Sequence, residues 1–132
     1  MTNPVHHIEL WTRDLAAVEG AWHWLLTSLG WERDPVEGWP RGRIWRHADG
    51  VYVVLEASAA VVGERHDRMA PGLNHLALRV RDRDALDALR VDAARHGWSE
   101  LFADQYPHAG GSDHTALYVE NAEGFEVEIV AG

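Results

Sequence analysis

At 132 residues and 46% hydrophobic content, the chain is long enough to bury a core in one domain and too apolar for disorder. Its net charge of −9, with no basic run, argues against nucleic acid and anionic membranes, because both are polyanions. There is no cysteine, so neither disulfides nor thiolate chemistry are available, and neither a signal-peptide pattern nor a bilayer-length apolar stretch is visible. A cytoplasmic protein without a membrane partner is the expectation.

In chain order, residues 5–12 alternate as a strand, with Ile8 and Leu10 on one face and His7, Glu9 and Trp11 on the other. Asp14 suits the N-cap of a helix whose apolar positions are Leu15, Val18, Trp22, Leu25 and Leu29, and Gly30 suits its C-terminal cap. A loop rich in glycine and proline follows. Residues 43–47 and 51–57 then read as two strands around Ala48-Asp49-Gly50. In the second of these, Val51, Val53 and Leu55 form the core face, with Tyr52, Val54 and Glu56 opposite. A connector over about 59–71 carries the charged run 64–68, in which His66 reads as a solvated side chain.

The pattern then starts again. His7-Ile8-Glu9-Leu10 is answered sixty-eight positions later by His75-Leu76-Ala77-Leu78, and each histidine is followed by an aspartate seven residues on. Asp82 or Asp84 caps a second helix with a stripe of Leu86, Leu89 and Ala93, ended by Gly97. Phe102 falls in a short strand, and 107–113 form a glycine-rich loop. Residues 115–120 and 125–130 make a hairpin with Phe125, Val127 and Ile129 in the core and Glu126 and Glu128 opposite. Each half therefore reads as strand, helix and a few antiparallel strands, with the helix on the apolar face. If the two sheets face each other, His7, His75 and Glu128 point into one cleft.

Two imidazoles and a carboxylate suit a divalent metal. With open positions the set fits Fe²⁺, and related sites accept Mn²⁺, Ni²⁺, Co²⁺ or Zn²⁺. Taken singly, His7 and His75 read as ordinary strand histidines and Glu128 as a solvated edge residue. Their matching places in the two halves raise the joint reading. Of the remaining histidines, His6 reads as turned to the core, while His23, His47 and His96 look structural. Trp22, Trp24 and Trp31 read as core, whereas Trp11, Trp45 and Tyr52 are candidates for cavity walls.

With the His7 strand and its Asp14-Leu15, Gly72-Leu73-Asn74-His75-Leu76, and Glu123-Gly124-Phe125-Glu126-Val127-Glu128, nearly the whole chain resembles the vicinal oxygen chelate superfamily. That group holds glyoxalase I, type I extradiol dioxygenases, fosfomycin-resistance enzymes and bleomycin-resistance proteins. The resemblance implies an α+β fold of two tandem βαβββ modules, about 4–58 and 72–132, forming a cupped mixed sheet with helices outside. It also implies metal ligands at His7, His75 and Glu128, and a homodimer. Whether the ligands meet within one chain or across two stays open. Alignment of Gly50 with Gly124 puts Val54 opposite Glu128, where glyoxalase I has a fourth ligand, and Glu56 would lie about 6–7 Å further along the strand. A three-ligand site fits dioxygenases and fosfomycin enzymes better.

The stretch His108 to Val119 resembles the part of extradiol dioxygenases where a histidine and a tyrosine flank the metal-bound substrate. Tyr118 keeps its distance from Gly124 and Glu128. His108 and His114 both compete for the histidine's role, and alternation favours His114 on the face of Tyr118. As a catalytic pair His114 and Tyr118 would move a proton; equally, His114 would cap the loop and Tyr118 pack. The expected function is a metal-dependent enzyme acting on a small organic substrate with vicinal oxygens, of dioxygenase or lyase/isomerase type. Its rival is a cleft that sequesters a cationic antibiotic without metal, using acidic charge and tryptophan.

Overall fold

A computed structural model describes residues 3–132. The chain divides after Glu64 into two units, a boundary that falls inside the connector. Each unit is one βαβββ module, so the two stand in tandem.

In the first unit the alternation of residues 7–11 makes β1 (His7–Trp11), with Leu10 buried and His7, Glu9 and Trp11 exposed. The Asp14 carboxylate accepts from the Ala17 amide at 3.2 Å and starts α1 (Leu15–Ser28). Its end is a Schellman closure, in which Trp31 N–H donates to the Leu26 carbonyl and Gly30 N–H to that of Thr27. Gly30 takes φ +91°, a conformation that favours glycine. β2 (Glu32–Asp34), β3 (Gly42–Arg46) and β4 (Tyr52–Glu56) complete a mixed sheet of order β1-β4-β3-β2, in which only β1 and β4 run parallel. The short β2 lies in what the sequence presents as loop, since three charged residues carry no alternation.

Register sorts the two faces of this sheet. Ile8, Leu10, Val53, Leu55 and Trp45 share the core face, against Val18, Trp22, Leu25 and Leu26 of α1. Trp45 is fully buried, and its indole N–H donates to His23 Nδ1 on α1 at 3.0 Å. It is therefore a core residue and not a cavity wall. His6 is also corrected: it is exposed and meets the rings of His7 and Tyr52 rather than the core.

The second unit repeats the plan with β5 (His75–Val80), α2 (Arg83–Asp92), β6 (Ser99–Leu101), β7 (Ala116–Glu120) and β8 (Glu126–Ala131), in the order β5-β8-β7-β6. Asp82, not Asp84, is the cap, accepting from the Ala85 amide at 2.9 Å. A 3₁₀ turn at Ala93–His96 extends the helix to Gly97. Leu86, Leu89 and Ala93 pack from the helix side beside Trp98, over Leu117, Val119, Val127 and Ile129. Phe102 lies just beyond β6 rather than within it.

The connector also departs from its solvated reading. Arg65 donates to the Ala122 carbonyl at 2.7 Å, and His66 N–H to that of Glu123 at 2.9 Å. The His66 ring stacks on Phe125 with centroids 4.6 Å apart. Arg68 reaches the buried Glu126 at 2.8 Å and Glu120 at 3.4 Å. A hydropathy pattern cannot show that a charged run has a buried carboxylate waiting for it.

Leu86 is fully buried in α2. Leu86→Ala is expected to lower unfolding free energy in urea by about 2–5 kcal/mol, against about 1 kcal/mol for removing the cap in Asp82→Ala.

Candidate functional site

Tyr118 on β7 pairs directly with Glu128 on β8, and Glu128 pairs with Ala77 on β5. Period-2 alternation then puts His75, Ala77, Tyr118, Glu126 and Glu128 on the face away from α2. Ala77, with only a methyl group, leaves room beside the carboxylate.

Glu128 is the centre of this face. Its side chain is only 7% exposed, so its charge needs partners. His75 Nε2 lies 3.0 Å from Oε1, and His114 Nε2 makes a short contact with Oε2. The Tyr118 side chain stands beside Glu128 on the neighbouring strand. Burial, and then the negative charge of Glu128, push that phenol up to about 12. Of the two candidate histidines His114 is therefore the one at Glu128, while His108 Nδ1 sits 3.2 Å from the His114 carbonyl oxygen.

Asn74 places a hydrogen-bond acceptor behind His75. Its amide NH₂ donates to the Arg68 carbonyl at 3.0 Å, which leaves Oδ1 as the acceptor 2.8 Å from His75 Nδ1. Nδ1 then carries a proton, and in the neutral form of the ring it is Nε2 that presents a lone pair toward Oε1. Two lone pairs at 3.0 Å repel unless a second proton or a cation stands between them. A hydrogen bond behind a histidine that fixes its outer nitrogen as a donor atom is the usual support of a metal ligand. The donor chemistry thus fits a divalent cation, although among the described residues no three His, Asp or Glu side chains already converge on one metal position.

Neighbouring groups keep this arrangement tight. The buried Glu126 is neutralised by Arg68, which leaves Glu128 as the carboxylate facing the imidazoles. Gly110 packs so closely that a Cβ there would lie 2.6 Å from the Tyr118 oxygen and 2.7 Å from His114 Cδ2. Asn74, Arg68 and Gly110 are contributors that sequence reasoning missed, whereas alternation had already put Glu126 on the face of Glu128. Of the three, Asn74 carried a signal, as the residue before the repeated histidine.

The first unit presents a different surface at equivalent positions. His7 stacks on Tyr52, with centroids 4.8 Å apart and planes 4° from parallel, and its Nδ1 lies 2.8 Å from His6 Nδ1. Tyr52 is paired with His7 as Glu126 is with His75, and Val54 with Glu9 as Glu128 is with Ala77. Val54 thus holds the place of Glu128. Glu56 lies beyond it and shares a hydrogen bond with Glu9, which holds the Glu56 carboxyl above its ordinary value. Trp11 N–H donates to Glu9 at 2.7 Å.

The chain belongs to the Glyoxalase/Bleomycin resistance protein/Dioxygenase superfamily, whose sequence profile matches residues 6–118. It is 32% identical to the uncharacterized protein YqjT of Bacillus subtilis (strain 168) over 127 residues, covering 96% of this chain and 98% of that one. A candidate glyoxalase from Bacillus halodurans shares 32% identity with a TM-score of 0.89, covering 98% of this chain and 96% of that chain. A Listeria monocytogenes fosfomycin resistance protein, FosX, has the same fold at 16% identity and TM-score 0.63, covering 100% of this chain and 92% of that one. That FosX variant is complexed with Mn(II) and 1S,2S-dihydroxypropylphosphonic acid.

Gly110→Ala is expected to keep the fold, because the atoms it meets are side-chain ends, but to push His114 and Tyr118 apart. Altered ring resonances of both residues in NMR spectra, with unchanged far-UV circular dichroism, would show this.

Proposed function

We propose that the protein is a divalent-metal-dependent enzyme acting on a small organic compound with oxygens on neighbouring carbons. The observation that carries this reading is the buried Glu128 carboxylate facing an imidazole whose tautomer Asn74 has fixed. His75 Nε2 and Glu128 would be two of the ligands. Correspondence between the two modules adds His7 as the third, from the same chain or from a second copy. When bound, the metal supplies Lewis acidity to the substrate oxygens.

The chain's own groups supply positioning and proton movement. Tyr118 donates a hydrogen bond from its phenol to an oxygen on this face. His114, with Nε2 against the carboxylate, takes a proton from a substrate oxygen or carbon, or returns one. Arg68 keeps Glu126 from competing for the imidazoles. Asn74 holds His75 in one tautomer throughout. The FosX complex supports the substrate class, because its bound compound is a vicinal diol.

Untagged protein is expected to hold one equivalent of divalent metal by elemental analysis, after reconstitution with Fe(II), Mn(II), Ni(II), Co(II) or Zn(II). His75→Ala, Glu128→Gln and His7→Ala should each lose it. Tight binding of a cationic antibiotic by metal-free protein, with no metal uptake, would instead establish a sequestering cleft.

For the metal-loaded enzyme, Tyr118→Phe is expected to keep the metal and lower kcat by about 10²–10⁴-fold, read by steady-state kinetics on whichever of a catechol, a hemithioacetal or fosfomycin it turns over.

A further inference from the structure

Phe102 stands out on the same unit. Its φ of +58° puts a bulky aromatic residue in the left-handed region, where asparagine or glycine is the ordinary occupant. The local turn needs only the backbone there: the Phe102 carbonyl accepts from Gln105 N–H at 2.9 Å to open the 3₁₀ turn Ala103–Gln105. Nor does core packing call for the ring, because Phe102 is 45% exposed. The ring stands edge-on to Tyr118 with centroids 5.6 Å apart. Leu101, paired with Tyr118 across β6 and β7, adds an aliphatic side chain on the same face. Such backbone strain persists where the side chain is needed in one place, and it concentrates at ligand-contacting positions.

From this geometry we infer that Phe102 is a specificity-determining residue, an aromatic wall that selects substrates with a planar apolar group attached to the vicinal-oxygen end. The inference rests on the reading of the His75–Glu128 face as the reactive one. The polar end of the substrate lies at Tyr118 and His114, and its apolar body lies against the exposed face of the Phe102 ring. Aromatic rings in offset or edge contact attract each other beyond simple area burial, and a methyl group in the same place forgoes that gain.

The test uses two neutral diols that differ only in that group, 1-phenylethane-1,2-diol and propane-1,2-diol, titrated into the full chain while NMR resonances of Tyr118 and His114 are followed. Wild type is expected to bind the phenyl diol roughly tenfold more tightly. Phe102→Asn, whose side chain tolerates the left-handed backbone, is expected to lose that preference and to melt at or above the wild-type temperature. Phe102→Tyr is expected to retain the preference. Equal affinities in wild type, a preference surviving in Phe102→Asn, or no response to either diol at the solubility limit would overturn the proposal. So would a lower melting temperature in Phe102→Asn, which would make the ring a packing element. Each titration is run with and without Zn(II), which is diamagnetic and leaves those resonances visible. A phenyl preference that depends on Phe102 supports the wall in either condition, so a failure to bind metal counts against the proposed function alone.

Discussion

A carboxylate buried in the middle of a sheet face is the constraint around which the second module is arranged. Glu128 sits on β8 with strands on both sides, and water reaches little of it. Its charge is tolerable only because His75, His114 and Tyr118 crowd round it. Those three come from a strand start, a loop and a neighbouring strand. Asn74 orients the first, the closeness of Gly110 seats the other two, and Arg68 removes the rival charge of Glu126. Little of this cluster would be necessary for folding, since an apolar side chain at 128 would pack on the same strand without any partners.

The two modules share topology and differ in chemistry. Their parallel pairs have equivalent registers, so each position can be compared with its twin. Histidine is kept at the strand start, but the glutamate two steps along the paired strand is Val54 in the first module. Tyr52 takes the place of Glu126 and stacks on His7, which gives that imidazole an aromatic neighbour where its twin has a carboxylate. The first module therefore offers one imidazole with an aromatic platform, while the second holds the anionic centre. Architecture was duplicated here without duplicating the buried carboxylate, since Val54 stands where the second module has Glu128.

Much of this was legible in the sequence because it obeys short-range rules. The caps at Asp14 and Asp82, the glycine closures, the alternation of β1, β5 and β8 and the shared face of Tyr118 and Glu128 all follow from local periodicity. Contacts between distant stretches had no such trace. Trp45 looked like a cavity wall because tryptophan abundance says nothing of direction; pairing with Val53 turns it toward α1. His66 and Arg68 looked solvated because a run of charges usually is, yet one stacks on Phe125 and the other reaches a buried acid. The choice between His108 and His114 needed the actual path of the glycine-rich loop.

The grip of Arg65, His66 and Arg68 on the β7–β8 hairpin has a practical corollary. The tail of the connector belongs structurally to the later half, which begins at Arg65 and not at the first apolar residue of β5. A gene fragment cut at Gly72, the start that the family resemblance implies, would discard a guanidinium and leave Glu126 in the interior without its counter-ion. Cutting before Arg65 keeps acid and base in one piece.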